Sequence, residues 1–155
     1  MTEDIGTHPP DDRSRPRHRG LRLSFESSLD ILSVLRPAVG SIVEALELDE
    51  QAIFAAQLCV VEAVTNCVVH AYRGEAGRPI DVTIDKSVDL LVIEIRDQAP
   101  PAPKDWIQPP APATGEPEPL SEGGRGIPLL HSLMDEVSVR REGESNVLRL
   151  SKELS

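Results

Sequence analysis

Basic charge is in short supply in this chain: 16 Lys and Arg residues stand against 26 Asp and Glu, for a formal net charge of -10 and a pI near 4.8. A surface of that sign repels a phosphate backbone, so a general nucleic-acid binder is excluded and no direct nucleic-acid partner is expected. Long apolar runs are missing as well. None approaches the roughly 18 to 20 residues of a membrane span, and residues 1–20 lack the apolar h-region of a signal peptide, so no membrane partner is expected and the location should be cytoplasmic. Cysteine is limited to Cys59 and Cys67. On one helix they would lie about 12 Å apart, too far for a disulfide, and both read as reduced core side chains. Internal repeats are absent. So are the P-loop and the spaced dinucleotide fingerprint, because no Gly-Lys-Ser/Thr follows the glycine cluster and no strand directly precedes it.

What remains fits one globular domain: 39% of the 155 residues are hydrophobic, enough for a real core plus some loose length. Residues 1–20 hold three prolines, four arginines and four acidic residues, with almost nothing to bury, and are read as a flexible tail. Leu21, Leu23 and Phe25 alternate as in an edge strand, followed by the cap candidates Ser27, Ser28 and Asp30. Ile31, Leu32, Leu35, Val39, Ile42, Val43 and Leu46 recur at helical spacing and predict a helix to about Leu48, with Pro37 as an internal flaw. A second helix is expected from an Asp49 cap to Ala71, stopped by Arg73-Gly74. Ile80 to Ile84 and Leu90 to Ile95 form a hairpin whose second strand is apolar on both faces and therefore central. Residues 99–122 contain eight prolines between well-patterned segments, which favours a functional lid over a linker. A short helix at Ile127 to Met134 and a hairpin turning at Glu142 to Ser145 complete the order. The expected fold is an α/β (α+β) two-layer sandwich, a mainly antiparallel mixed sheet covered on one face by helices.

Three polar islands interrupt this framework. In the first, Glu62, Asn66 and His70 share one stripe of an otherwise apolar helix. Burying an amide and a carboxylate without partners costs several kcal/mol, so this face needs something polar against it. A Glu-Asn-His hydrogen-bond network would serve. So would a magnesium-nucleotide site, in which the Asn66 oxygen is a hard ligand and Glu62 a base or water-holder. The second island is Asp97, carried out at a strand end by the turn Gln98-Ala99-Pro100-Pro101; a plain turn former is the simpler reading. The third is Gly123-Gly124-Arg125-Gly126, ahead of a helix. It is either a hinge for the loop or a close backbone approach to phosphate at a helix N-terminus.

Taken in order, the islands resemble the Bergerat-fold (GHKL) ATP-binding superfamily and, within it, the anti-sigma-factor serine-protein kinases of bacteria, across roughly residues 21 to 154. Glu62-Ala63-Val64-Thr65-Asn66 through His70-Ala71-Tyr72 is similar to the N box and Asp97 to Pro101 to the first glycine box. Gly124-Arg125-Gly126-Ile127 with Leu133-Met134-Asp135-Glu136-Val137 is similar to the second. The resemblance implies a single ATP-binding kinase domain over residues 21–155, with a lid at about 99–122. It implies that Asn66 coordinates Mg²⁺, that Glu62 takes the proton from a serine hydroxyl, and that Asp97 accepts from the adenine amino group. Gly124 and Gly126 would offer amides to the phosphates and Arg125 positive charge. Asn146 would stand near the adenine, where relatives often carry Thr, with His70 and Tyr72 mainly packing. The pattern departs from the family at Ala99, where the box has glycine, and at Ala102, where many relatives have an aromatic residue. The implied cofactors are ATP or ADP and Mg²⁺; the implied partners are a sigma factor and a STAS-type anti-anti-sigma protein phosphorylated on serine. The family often pairs through its sheet edge and first helix, so a homodimer is among the expectations. A non-catalytic partner-binding module and an activator of a serine phosphatase are the alternatives, and intact Glu62 weighs against both.

Overall fold

The computed structural model describes residues 19–103, 105–108 and 126–155. Its elements follow the order β1 (Arg19–Glu26), α1 (Ile31–Ala45), α2 (Glu50–Asn66), a π-helical turn (Cys67–Ala71), β2 (Pro79–Lys86), β3 (Leu90–Asp97), α3 (Gly126–Leu133), β4 (Glu136–Glu142) and β5 (Ser145–Glu153). The five strands form one sheet in the order β1-β2-β3-β5-β4, with β1 at an edge and β3 central, as their patterns predict. Every pairing is antiparallel, so the parallel component of a mixed sheet does not occur among the described strands. Each connection within β2-β3 and β4-β5 is a tight hairpin, which only antiparallel neighbours can use.

Period-two alternation decides which face is covered. Ile80, Val82 and Ile84 of β2, Leu91, Ile93 and Ile95 of β3, and Leu148 and Leu150 of β5 are buried and in register against the helices. On the opposite face Glu94 meets Arg140 at 3.0 Å and Arg149 at 3.3 Å, partly exposed pairs that keep this side solvated. The helical layer closes through small residues: Ala52, Ala55, Ala56, Cys59 and Ala63 are buried on α2, and an added Cβ at Gly40 of α1 would collide with Gln57.

Several boundaries differ from expectation. α1 stops at Ala45 rather than Leu48, because Glu47 turns to φ 57. Pro37 stays inside α1. Ser27 does not cap α1; its hydroxyl donates to the Glu75 carbonyl and accepts from Arg78 N–H, and Asp30 at the N-cap makes no side-chain cap bond. Asp49 does cap α2, accepting from Ala52 N–H at 2.7 Å. β1 begins at Arg19, inside the stretch read as a tail, and residues 1–18 lie outside the described residues. The helical run Glu50–Ala71 has the length and composition of a membrane span, contrary to the expectation that none would. Its apolarity is used in the core, where 56% of that window is buried.

Candidate active site

The last turn of the second helix widens from α to π at Cys67–Ala71, directly after Asn66. Such single-turn π segments re-aim side chains, and they recur at functional sites. Here the widening leaves His70 exposed and brings Tyr72 into the core at 4% exposure. The Tyr72 hydroxyl donates to the Pro79 carbonyl and accepts from Gln98 N–H, both at 2.6 Å, so it ties the helix end to the start of β2 and the turn after β3. Burial pushes its phenol pKa up.

Glu62 and Asn66 share one face, but not as a network with His70. Asn66 is 7% exposed, and its Nδ2 is the one buried side-chain nitrogen or oxygen without a hydrogen-bond partner among the described residues. Glu62 is half-buried. Gly126, the first residue of α3, stands directly opposite: a Cβ there would lie 3.1 Å from Asn66 Nδ2 and 3.3 Å from Glu62 Oε2. Only glycine leaves this gap open. Gly123, Gly124 and Arg125 lie outside the described residues, as does the expected lid beyond Gln108 and at Lys104.

Asp97 is the second buried polar group, 7% exposed at the end of β3. It continues the helix-facing series Leu91, Ile93, Ile95, and it pairs across the sheet with Asn146, which continues Leu150 and Leu148. Asp97 Oδ1 accepts from Ala99 N–H at 2.8 Å and from Asn146 Nδ2 at 2.9 Å. Among the described residues its Oδ2 meets only the Cys67 thiol, at 3.6 Å, so one carboxylate oxygen remains available. Burial and then the Asp97 charge hold the Cys67 thiol pKa far above its ordinary value, which makes it a neutral donor. Ala99 is 2% exposed. It is not one of the two non-glycine residues with positive φ among those described, Glu47 and Arg73. The turn therefore does not need glycine torsionally, and the Ala99 amide is spent on Asp97.

Between these islands lies an open cavity of about 1290 Å³, lined by Asn66, Cys67, His70, Tyr72, Asp97, Ala99, Trp106, Arg141 and Asn146 among others. Its volume exceeds the roughly 300 to 1,000 Å³ of most small-ligand sites. Glu62 does not line it; the carboxylate sits one turn beyond Asn66, against Gly126. Described residues of the proline-rich loop line one side. Trp106 and Ile107 pack on the core, and the Ile107 carbonyl bonds His131 Nε2 of α3 at 2.6 Å.

A metal would have to be shared with a ligand here, since no group of three or more His, Cys, Asp or Glu able to hold one occurs among the described residues. Asn66, facing a gap that Gly126 keeps open, fits that role through its Oδ1, a hard donor for Mg²⁺, which takes its remaining ligands from phosphate and water; its unpartnered Nδ2 calls instead for an acceptor, such as a phosphate oxygen. The sequence reading missed Cys67 and Arg141 as site residues. The strand alternation that aligns Asp97 with Asn146 was available as a signal; the reach of Arg141 was not.

The class is that of an ATPase-type domain: the chain belongs to the histidine kinase-like ATPase domain family, whose pattern matches residues 25–152. Among curated relatives, the serine-protein kinase RsbW of Bacillus velezensis is 36% identical over 87 residues, 54% of this chain and 54% of that protein. The chain thus matches about half the length of that relative. The anti-sigma F factor of Oceanobacillus iheyensis is 28% identical over 137 residues, covering 87% of this chain and 92% of its own. A crystal structure of the RsbU and RsbW domains of Rv1364c from Mycobacterium tuberculosis superposes with a TM-score of 0.62 at 14% identity, over 88% of this chain and 32% of that one. It shows the same fold.

Proposed function

We propose that the chain is an anti-sigma serine-protein kinase of the cytoplasm. It binds a sigma factor, and it phosphorylates a STAS-type anti-anti-sigma partner on serine with Mg-ATP. The observation that carries this reading is the convergence of Glu62, Asn66 with its unpartnered Nδ2 and the glycine gap at Gly126, with Asn66 also lining the cavity that holds Asp97. Names of the relatives, a serine-protein kinase and anti-sigma F factors, support the partner class.

Bound Mg-ATP would supply the phosphoryl group and neutralise charge on its oxygens. Asn66 would hold the metal through its amide oxygen. Asp97 Oδ2 would accept from the adenine amino group, a position already framed by Ala99, Asn146 and Cys67. Glu62 would accept the proton of the incoming serine hydroxyl as that oxygen attacks. Gly126, and Gly124 and Arg125 with it, would line the phosphates at the start of α3, where amide donors and the helix dipole favour anions. A phosphate added to the partner brings roughly -1.5 to -2 charge, which an acidic kinase repels, so release follows transfer.

A second reading, a partner-binding module that holds nucleotide without transfer, is favoured by the position of Glu62 outside the cavity lining. One experiment separates the two: incubate the purified protein and its Glu62→Ala variant with radiolabelled ATP, Mg²⁺ and a serine-bearing STAS domain. Label on the STAS domain that the variant abolishes, with the complex retained, supports the kinase. Complex without label in either protein supports the module.

A further inference from the structure

The turn that follows β3 carries two consecutive prolines, Pro100 and Pro101, which have no N–H to donate and so cannot close the turn by themselves. Its carbonyls are satisfied from the β4-β5 hairpin instead. Asn146 Nδ2 reaches the Ala99 carbonyl at 3.3 Å and the Pro100 carbonyl at 3.0 Å, besides Asp97. Asn146 Oδ1 accepts from Ala102 N–H and from Arg141, each at 3.1 Å. The same Arg141 nitrogen donates to the Ala99 carbonyl at 2.8 Å. Asn146 is 6% exposed, and every donor and acceptor of its amide is used. Neighbouring arginines on the hairpin and sheet, Arg140 and Arg149, pair with Glu94; among the described residues the Arg141 side chain bonds the Gly143 and Ala99 carbonyls and Asn146 Oδ1.

We propose, resting on the nucleotide reading of this cavity, that Arg141 and Asn146 form a latch that fixes the Asp97-to-Ala102 turn, which makes Arg141 a positioning residue for adenine recognition. The latch does two things. It occupies Asp97 Oδ1, so that Oδ2 alone is presented to a base. It also ties down the backbone from Ala99 to Ala102, so that the base-reading end of the cavity stays fixed. Discrimination follows from the fixed carboxylate: an accepting oxygen suits the amino group of adenine and repels the carbonyl at the same place in guanine. Releasing the turn lets Asp97 rotate and erodes that preference, whereas general weakening of the fold would leave the ratio intact.

The test titrates ADP and GDP into the wild-type protein and its Arg141→Ala, Arg141→Lys and Asp97→Ala variants, followed by the fluorescence of Trp106, the sole tryptophan, with thermal unfolding as a control. Arg141→Ala should lose about tenfold in ADP affinity and less in GDP affinity, because a charged donor to two acceptors is removed. Arg141→Lys should recover to within about threefold, since a single nitrogen makes both bonds and an ammonium has three donors. Asp97→Ala should abolish the preference. An Arg141→Ala variant with wild-type ADP affinity, or one that loses ADP and GDP equally, overturns the latch while an effect of Asp97→Ala keeps the nucleotide reading. A wild-type protein that binds no ADP at millimolar concentration overturns both.

Discussion

Replacing Gly126 by alanine separates the site from the fold. Alanine is the better helix former by roughly 1 kcal/mol in a helix interior, and at the first residue of α3 part of that gain should appear. Gly126 has no positive φ to lose, so the backbone accepts the change. The new methyl, however, would stand 3.1 Å from Asn66 Nδ2 and 3.3 Å from Glu62 Oε2, both closer than ordinary van der Waals contact, and 3.5 Å from Asn66 Oδ1. Asn66 and Glu62 would have to yield by a few tenths of an ångström, and the gap in front of them would close. Overpacking of this kind costs about 1 to 3 kcal/mol. If the cost falls on the bound state, where phosphate or metal must share that space, nucleotide affinity drops by about 5- to 150-fold at 1.4 kcal/mol per decade. The assay pairs calorimetric titration with ATP and Mg²⁺ against urea denaturation of the same variant. Lost affinity with an unfolding midpoint that moves much less than the affinity is the expected pair of results. Wild-type affinity for Mg-ATP in Gly126→Ala would refute the placement of the phosphates between α2 and α3.

Other perturbations follow from single contacts. Asp97→Ala orphans the buried Ala99 N–H and removes one acceptor of the Asn146 amide, and should cost about 2 kcal/mol of stability by urea titration. Tyr72→Phe removes bonds to Pro79 and Gln98; a loss of about 1 to 2 kcal/mol is expected, with local hydrogen exchange rising at Gln98. Neither cysteine should react with a thiol reagent at pH 8 until denaturant is added, because burial pushes Cys59 up to about 12 from 9.0 and holds Cys67 well above 9.0. The sign for stability follows: a raised folded pKa favours the protonated, folded state, so this contribution is complete below about pH 9 and is lost as pH rises toward 12. A Cys59→Ala variant should therefore show a flatter fall in urea midpoint between pH 9 and 10.5 than wild type; identical slopes would count against it.

Periodicity carried most of the fold. The stripes on α1 and α2 and the alternation in β2, β3 and β5 are burial patterns, and burial is what the packed layers satisfy, so both helices, the central place of β3 and the edge place of β1 were legible. The helix ends were less so. Glu47 leaves α1 through a left-handed torsion that no glycine announces, and the π turn at Cys67–Ala71 adjusts a backbone register that side-chain spacing does not encode. For the site, Glu62 and Asn66 stood out as polar residues on an apolar helix. What a linear reading could not supply was the partner across the gap: Gly126 faces them only because α3 packs on α2. Asp97 and Asn146 meet through strand register, and Arg141 reaches Ala99 across the sheet end, contacts fixed by tertiary structure alone. Ala99, which departs from the family's glycine, proved compatible with the turn because its torsion is ordinary and its amide bonds Asp97.

The central claim is a magnesium-dependent nucleotide site built on Asn66, and calorimetric titration of the wild-type protein and Asn66→Ala with ATP and with ADP, each with and without Mg²⁺, tests it most directly. The account predicts that wild type binds with an affinity raised by Mg²⁺ and that Asn66→Ala loses the magnesium-dependent part while keeping its fold. Nucleotide affinity in Asn66→Ala that equals wild type and is indifferent to magnesium would contradict it.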